Sequence, residues 1–221
     1  FAGVKRQVLG LYGLEEKEER RVSLVSLGPG DGAQMTEEAG RAFAGCDLII
    51  GAGRMVEALG RFGKPAFSAY KEEEIVGFLE AHGEYVRPAV AFSGDLGFYS
   101  GAKKLLPLLK ERGFAVDCVP GVSSLVYLAA RTGKPWDNAK FMSVHGRSEN
   151  LIRAVLENKR VFTLLGGEGS VEALCRELLF YGLSGIELTV GENLSYETER
   201  IESGRPEELL GRAFGPLAAA G

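Results

Sequence analysis

Short apolar runs that break abruptly into glycine recur along this chain, with helix-like segments between them. Val22–Leu27 (VSLVSL) runs into Gly28-Pro29-Gly30-Asp31-Gly32. Leu48-Ile49-Ile50 ends in Gly51-Ala52-Gly53, and Val90-Ala91-Phe92 ends in Ser93-Gly94-Asp95-Leu96-Gly97. An uninterrupted apolar run of this length reads as a strand buried on both faces, as in a parallel sheet covered by helices. Parallel strands require crossovers, usually helical. The pattern therefore constrains the chain to an α/β fold.

The segments between the runs supply the crossovers. Thr36 suits an N-cap, with Glu37 and Glu38 at the positive end of a helix to about Ala44. Glu72–Ala81 carries Ile75, Val76, Phe78 and Leu79 at helical spacing. A helix to about Arg112 follows the third glycine loop, and Pro107 inside it is expected to kink or interrupt it. Val116–Val119 is the next strand. Pro120-Gly121 then leads into a helix capped by Ser123 or Ser124 and running to Arg131. Phe141–Val144, Val161–Leu165 and Glu187–Val190 read as further strands, Leu151–Glu157 and Val171–Tyr181 as helices, and Glu199-Arg200-Ile201 as a strand paired with a neighbour. Both sheets are expected to be largely parallel. Leu217-Ala218-Ala219-Ala220 is a weak final strand, expected to be truncated or poorly formed. The pattern divides the chain into an α/β domain over 22–119 and a second over 120–221. Residues 1–21 end in a dense charge run and form either an appended arm or a helix that contacts a partner subunit.

Composition narrows the function. Hydrophobic residues make up 45% and charged residues 25%, the balance of a soluble globular protein. The net charge of −4 disfavours a nucleic-acid binder. No apolar run approaches the roughly 20 residues that span a bilayer, so no membrane association and a cytoplasmic location are expected. Cys46, Cys118 and Cys175 are far apart and accompany only two histidines, without metal-ligand spacing. They read as buried free thiols in a reducing compartment.

In a parallel sheet the loops after the strands share one edge, where ligands bind. Glycine in those loops lets main chain approach a ligand closely. Gly28, Gly30 and Ala33 fit the looser G-x-G-x-x-A dinucleotide fingerprint, a weak signal. Pro29 stiffens that loop, and no acidic residue follows the second strand to hold a ribose.

The order and spacing of VSLGPGDGAQMT, AFSGDLGFYSG (91–101) and VPGVSS (119–124) resemble the tetrapyrrole methylases, the class III fold of S-adenosylmethionine methyltransferases. The resemblance covers about 22–214. It implies two α/β domains with the methyl donor, S-adenosylmethionine, in the cleft between them. Three features resemble the branch that methylates C5 of a late corrin precursor on the way to cobalamin. The third loop reads Ser-Gly-Asp-Leu-Gly-Phe-Tyr-Ser rather than the Gly-Gly-Asp-Pro of sister enzymes. Phe141–Arg147 (FMSVHGR) resembles a Ser-Leu-His-Gly-Arg element, and Val190–Ile201 (VGENLSYETERI) a Gly-Glu-x-Leu…Glu-x-Ile segment.

The resemblance implies donor contacts at Pro29, Ser93, Gly94, Asp95, Phe98, Ser123, Ser124, Leu165 and Leu194, the last where some relatives have glycine. Asp95 is alternatively a loop cap, and Ser123 and Ser124 are alternatively N-caps, a role compatible with ligand contact. His145 and Arg147 are substrate candidates, because corrin precursors carry many carboxylates and Arg forms bidentate pairs with them. His145 is alternatively structural, and Arg54, Lys103 and Lys104 either add to a cationic surface or are solvated charges. Methyl transfer from a sulfonium needs alignment more than acid–base catalysis, so no catalytic residue or metal is assigned. The resemblance further implies a homodimer, with a separate decarboxylating C15-methyltransferase as functional partner. The same fold also methylates other tetrapyrrole carbons, ribosomal RNA and a modified histidine of an elongation factor. The negative charge and the His145 element disfavour the last two. A dinucleotide-binding oxidoreductase and a non-catalytic donor-binding protein are the readings from other classes.

Overall fold

The structure is a computed structural model and describes residues 20–30, 32–144 and 150–221. Its first sheet contains β1 (Arg21–Ser26), β2 (Leu48–Gly51), β3 (Ala66–Ser68), β4 (Pro88–Phe92) and β5 (Ala115–Val119), in the order β3-β2-β4-β1-β5. Every neighbouring pair is parallel. Val22, Leu24, Val25 and Ile50 are fully buried, as expected of strands covered on both faces. The crossovers include α1 (Glu37–Gly45), α2 (Gly53–Ala58), α3 (Glu72–Ala81) and α4 (Ala102–Glu111). Thr36 caps α1, its hydroxyl accepting from the Ala39 amide at 3.1 Å.

Pro107 does not interrupt α4, which runs unbroken through it. Pro107 lies on the solvent face, so water can satisfy the carbonyl one turn earlier that its ring leaves without a donor.

The second half departs further from the expected pattern. Its sheet is built from β6 (Lys140–Ser143), β7 (Val161–Leu164), β8 (Leu188–Glu192), β9 (Arg200–Gly204) and β10 (Ala218–Ala220), in the order β6-β7-β10-β8-β9. Only β6 and β7 pair in parallel; β10 runs antiparallel to both neighbours, and β8 and β9 are antiparallel. The expectation of a largely parallel sheet therefore fails here. Apolar patterning shows that a strand is covered but not which way its neighbour runs. The final strand is neither truncated nor marginal. Ala218, Ala219 and Ala220 are 5%, 2% and 1% exposed at the centre of the sheet. Their small side chains leave room on one face for Leu125 and Leu128 of α5 (Ser124–Arg131) and for Phe162, with Ala219 packed among them. On the other face Ala218 and Ala220 join the core under α6 (Leu151–Glu157) and α7 (Ser170–Phe180). A short helix, α8 (Pro206–Leu209), precedes β10.

β7 and β8 both run opposite to β10, so they share a direction, and so does β6. The carboxyl ends of β6, β7 and β8 and the start of β10 thus lie on one edge of the second sheet. That edge faces the carboxyl edge of the first sheet.

Candidate active site

Between the two edges lies a cleft of about 480 Å³. Its first-sheet wall comes from the segments after β1, β2, β3, β4 and β5, and its second-sheet wall from the last residue of β6, the end of β7, the segments after β7 and β8, and β10. Such an edge is where open α/β sheets place ligands, and here two edges contribute.

Glycine gives the first wall its shape. The Gly28 amide donates to the Gly94 carbonyl at 3.2 Å, and the Gly94 amide to the Gly28 carbonyl at 2.7 Å. Both have positive φ, +79° and +70°, which a side chain would strain. Gly121 lies over this bridge. A Cβ on it would fall 2.5 Å from Ser26 Cβ, 2.8 Å from the Gly94 oxygen and 3.2 Å from the Gly28 nitrogen. Three loops from three strands therefore meet main chain against main chain.

Asp95 ties the same loops together. Its Oδ1 accepts from the Gly97 amide at 2.8 Å and its Oδ2 from the Gly121 amide at 3.4 Å. The loop-cap reading of Asp95 is therefore correct, and Asp95 also lines the cleft. Ser123 is the N-cap of α5, its hydroxyl accepting from the Leu125 amide at 3.4 Å. Ser123 and Ser124 both line the cleft, so capping and wall formation coincide.

The cleft brings together all nine positions expected at the donor: Pro29, Ser93, Gly94, Asp95, Phe98, Ser123, Ser124, Leu165 and Leu194. Phe98 also links the halves, its ring edge-on to Phe141 of β6 at 6.1 Å. Leu194 is buried against Gly191 and Leu128, where a Cβ on Gly191 would come within 2.8 Å of both side chains. His145 and Arg147 lie outside the described residues. Lys103 and Lys104 are exposed on α4, away from the cleft lining. Arg54, at the start of α2, is the sole cation lining the cleft among the described residues, and Asp95 the sole acid.

Sequence reasoning missed Tyr70, Tyr99, Asn193 and Tyr196 as lining residues. Tyr99 (φ 52°) and Asn193 (φ 48°) have left-handed backbone, as does Ser195 (φ 70°). Left-handed non-glycine residues concentrate at functional sites; no residue type in the sequence announces them. Tyr196 reaches across to the first half, where a Cβ on Gly30 would lie 2.3 Å from its ring.

Among the described residues only a 3-10 turn, Gly32–Gln34, follows the fingerprint directly, in place of the α-helix a dinucleotide site needs. α1 begins only at Glu37, and its first turn carries Glu37 and Glu38, which repel a pyrophosphate.

A second cavity, about 410 Å³, opens at the opposite edge of the second sheet. Two of its cations are engaged: Lys134 with Glu187 at 3.3 Å and the Thr189 hydroxyl at 2.8 Å, and Arg160 with the Pro135 carbonyl. Among the described residues no cluster of His, Cys, Asp or Glu fits a metal ion. Burial pushes the Cys46 and Cys175 thiols up, whereas Cys118 is exposed on the edge strand β5, against the expectation that all three are buried. No helix among the described residues is long and apolar enough to cross a membrane.

Fold and cleft together define a two-lobed α/β protein with an open cleft between the facing edges of its two sheets. The chain belongs to the tetrapyrrole (corrin/porphyrin) methylases, whose family model matches residues 21–210. It is 24% identical over 205 residues to a probable cobalt-precorrin-7 C(5)-methyltransferase of Methanocaldococcus jannaschii, covering 89% of this chain and 94% of that one. It is 25% identical over 181 residues to the cobalt-precorrin-7 C(5)-methyltransferase of Salmonella typhimurium, covering 81% and 88%. The fold matches that of uroporphyrin-III C-methyl transferase from Thermus thermophilus complexed with S-adenosylhomocysteine. The TM-score is 0.71 at 22% identity, over 90% of this chain and 91% of that one.

Proposed function

We propose that this protein transfers a methyl group from S-adenosylmethionine to C5 of a corrin precursor, cobalt-precorrin-7 or metal-free precorrin-7, in cobalamin biosynthesis. The observation that carries the reading is the convergence of all nine motif positions on one cleft between the two sheet edges. Two relatives named for this reaction, aligned over most of their length, support the substrate. A protein of the same fold that holds S-adenosylhomocysteine supports the donor.

The residues present fit such a donor. The cleft volume lies within the roughly 300–1,000 Å³ of small-ligand pockets. Gly28, Gly94 and Gly121 let three loops close main chain against main chain, and Gly94 of that junction lines the cleft. Ser93, Ser123 and Ser124 offer hydroxyls, and Leu165 and Leu194 offer apolar surface for a purine. When bound, S-adenosylmethionine supplies a methyl group already activated on a sulfonium. The walls then have to orient the reactants and exclude water, and orientation alone is worth roughly 7–11 kcal/mol of barrier in well-aligned systems. Both Asp95 oxygens are engaged in holding the loops, so Asp95 shapes the wall and is not assigned as a base. Arg54 lines the cleft from α2 and suits a substrate carboxylate; Arg147 is a second candidate on the ground of its charge alone. The protein acts as a homodimer whose product passes to a separate decarboxylating C15-methyltransferase.

The test is methyl transfer to cobalt-precorrin-7 and to precorrin-7, with the new methyl located by NMR. A methyl at C5 supports the reading; a methyl at another carbon reassigns the protein to a sister reaction. Calorimetry should show binding of S-adenosylhomocysteine and none of NAD. Tight NAD binding without any response to the methyl donor would overturn the reading.

A further inference from the structure

The turn between β8 and β9 is held in an unfavourable shape. Asn193 and Ser195 both have left-handed backbone, a conformation that costs non-glycine residues free energy unless surrounding contacts impose it. Between and beside them, Leu194 and Tyr196 line the cleft, and Tyr196 meets Gly30 of the opposite half. Backbone bonds hold part of the turn, the Asn193 amide donating to the Leu217 carbonyl and the Tyr196 amide to the Asn193 carbonyl, both at 3.0 Å, and one side chain ties it to its neighbour. Glu199 Oε2 accepts from the Ser195 amide at 2.8 Å, and its Oε1 lies 2.8 Å from the Arg131 guanidinium. The Tyr127 hydroxyl also bonds to it. Arg131 and Tyr127 belong to α5, the helix whose first residues, Ser123 and Ser124, line the same cleft. The Glu199 side chain is only 13% exposed, and a carboxylate removed from water with charge-assisted partners makes the stronger kind of hydrogen bond.

We propose that Glu199 is a positioning residue for the ligand cleft, locking the Asn193–Tyr196 turn to α5 so that both parts of the second wall meet the ligand as one surface. Glu199 does not line the cleft itself; it acts through Leu194 and Tyr196. The inference rests on the proposed function for the identity of the ligand, and on geometry alone for the role of the carboxylate.

Two measurements on the full chain test it. In the first, S-adenosylhomocysteine binding is followed by calorimetry for the wild type, Glu199→Gln and Arg131→Ala. The neutral amide of Glu199→Gln has a single acceptor oxygen and cannot serve the Ser195 amide and Arg131 at once, so binding should weaken about tenfold, and less in Arg131→Ala, where the carboxylate still accepts from Ser195. In turnover the donor KM should rise while kcat at saturating donor stays within about twofold, because the turn holds the ligand in place and does not drive the transfer. Unchanged affinity in Glu199→Gln overturns the proposal. The second measurement needs no ligand. Amide hydrogen exchange should speed up at Ser195 and Tyr196 in Glu199→Gln while the β1 and β4 amides stay protected. If exchange at the turn is unchanged, Glu199 does not hold it. A wild type that fails to bind S-adenosylhomocysteine refutes the functional reading, and the exchange result still decides the role of Glu199.

Discussion

Gly121→Ala adds one methyl group at the point where three loops meet. The new Cβ would stand 2.5 Å from Ser26 Cβ and 2.8 Å from the Gly94 oxygen, closer than non-bonded carbon and oxygen tolerate. Ser26 is fully buried at the end of β1, so the foot of the contact cannot yield, and the Gly94 loop must move outward. Overpacking of this kind costs about 1–3 kcal/mol. The outward shift also breaks the reciprocal Gly28–Gly94 bridge, two hydrogen bonds worth about 1 kcal/mol each. We therefore expect Gly121→Ala to lose about 3–5 kcal/mol by urea unfolding, a large share of a domain stability of typically about 5–15 kcal/mol. S-adenosylhomocysteine affinity should fall by more than tenfold, because Gly94 and Asp95 move with the loop. Gly40→Ala is the control: Gly40 sits inside α1 with nothing within 4 Å of a new Cβ. It should stabilise the protein by about 0.5–1 kcal/mol and leave binding unchanged. If Gly121→Ala costs less than about 0.5 kcal/mol, within the range of an ordinary surface substitution, the three loops do not meet as described.

The other predictions concern charge and assembly. Arg54→Ala should raise the tetrapyrrole KM about tenfold, the cost of one charge-assisted bond, without changing donor affinity; equal loss of both ligands would make Arg54 structural. Arg147→Ala should weaken tetrapyrrole binding about ten- to a hundredfold with donor binding nearly intact, and no effect on either ligand would place the polyanion site elsewhere. Burial pushes the Glu199 carboxyl up, but bonds from the Ser195 amide, Tyr127 and Arg131 outweigh it and hold it below its ordinary value. A carboxyl held low when folded stabilises the fold above its unfolded pKa, and that contribution is lost as pH falls through the folded value. Urea midpoints measured between neutral pH and mild acid should therefore drop less steeply in Glu199→Gln than in the wild type, and parallel curves would contradict this. Sedimentation equilibrium at micromolar concentration should give a dimer mass; a monomer would refute the homodimer.

The first half was readable because its three inner strands, β1, β2 and β4, are covered on both faces and the loops after them break on glycine. Leu48–Gly51 and Pro88–Phe92 stand close to where the apolar runs place them. Ala66–Ser68 escaped detection as an edge strand, too short and too exposed to leave an apolar run. The second half was harder. Strand direction there depends on contacts between segments far apart in the chain, and β10 pairs with residues of β7 more than fifty positions earlier. Its three alanines have low strand propensity and earn their place only through the large side chains packed on either face. The site divides along the same line. Positions carried by short local motifs, such as Ser93-Gly94-Asp95 and Ser123-Ser124, were visible. Tyr196 was not, because its role depends on a left-handed turn and on a glycine across the cleft.

The position of β10 sets an order on how the molecule can form. Synthesis delivers β1 to β5 first, and these five strands complete their sheet among themselves. The second sheet has no such independence. Its middle strand is the last in sequence of the ten among the described residues and separates β7 from β8, so β6–β7 and β8–β9 are joined into one sheet only through β10. Two-stranded ribbons are marginal in water, and unpaired strand edges invite association with other chains. The first half of a nascent chain can thus be folded while the second still exposes unpaired edges, and the wall that carries Leu165 and Leu194 is complete only once β10 is in place.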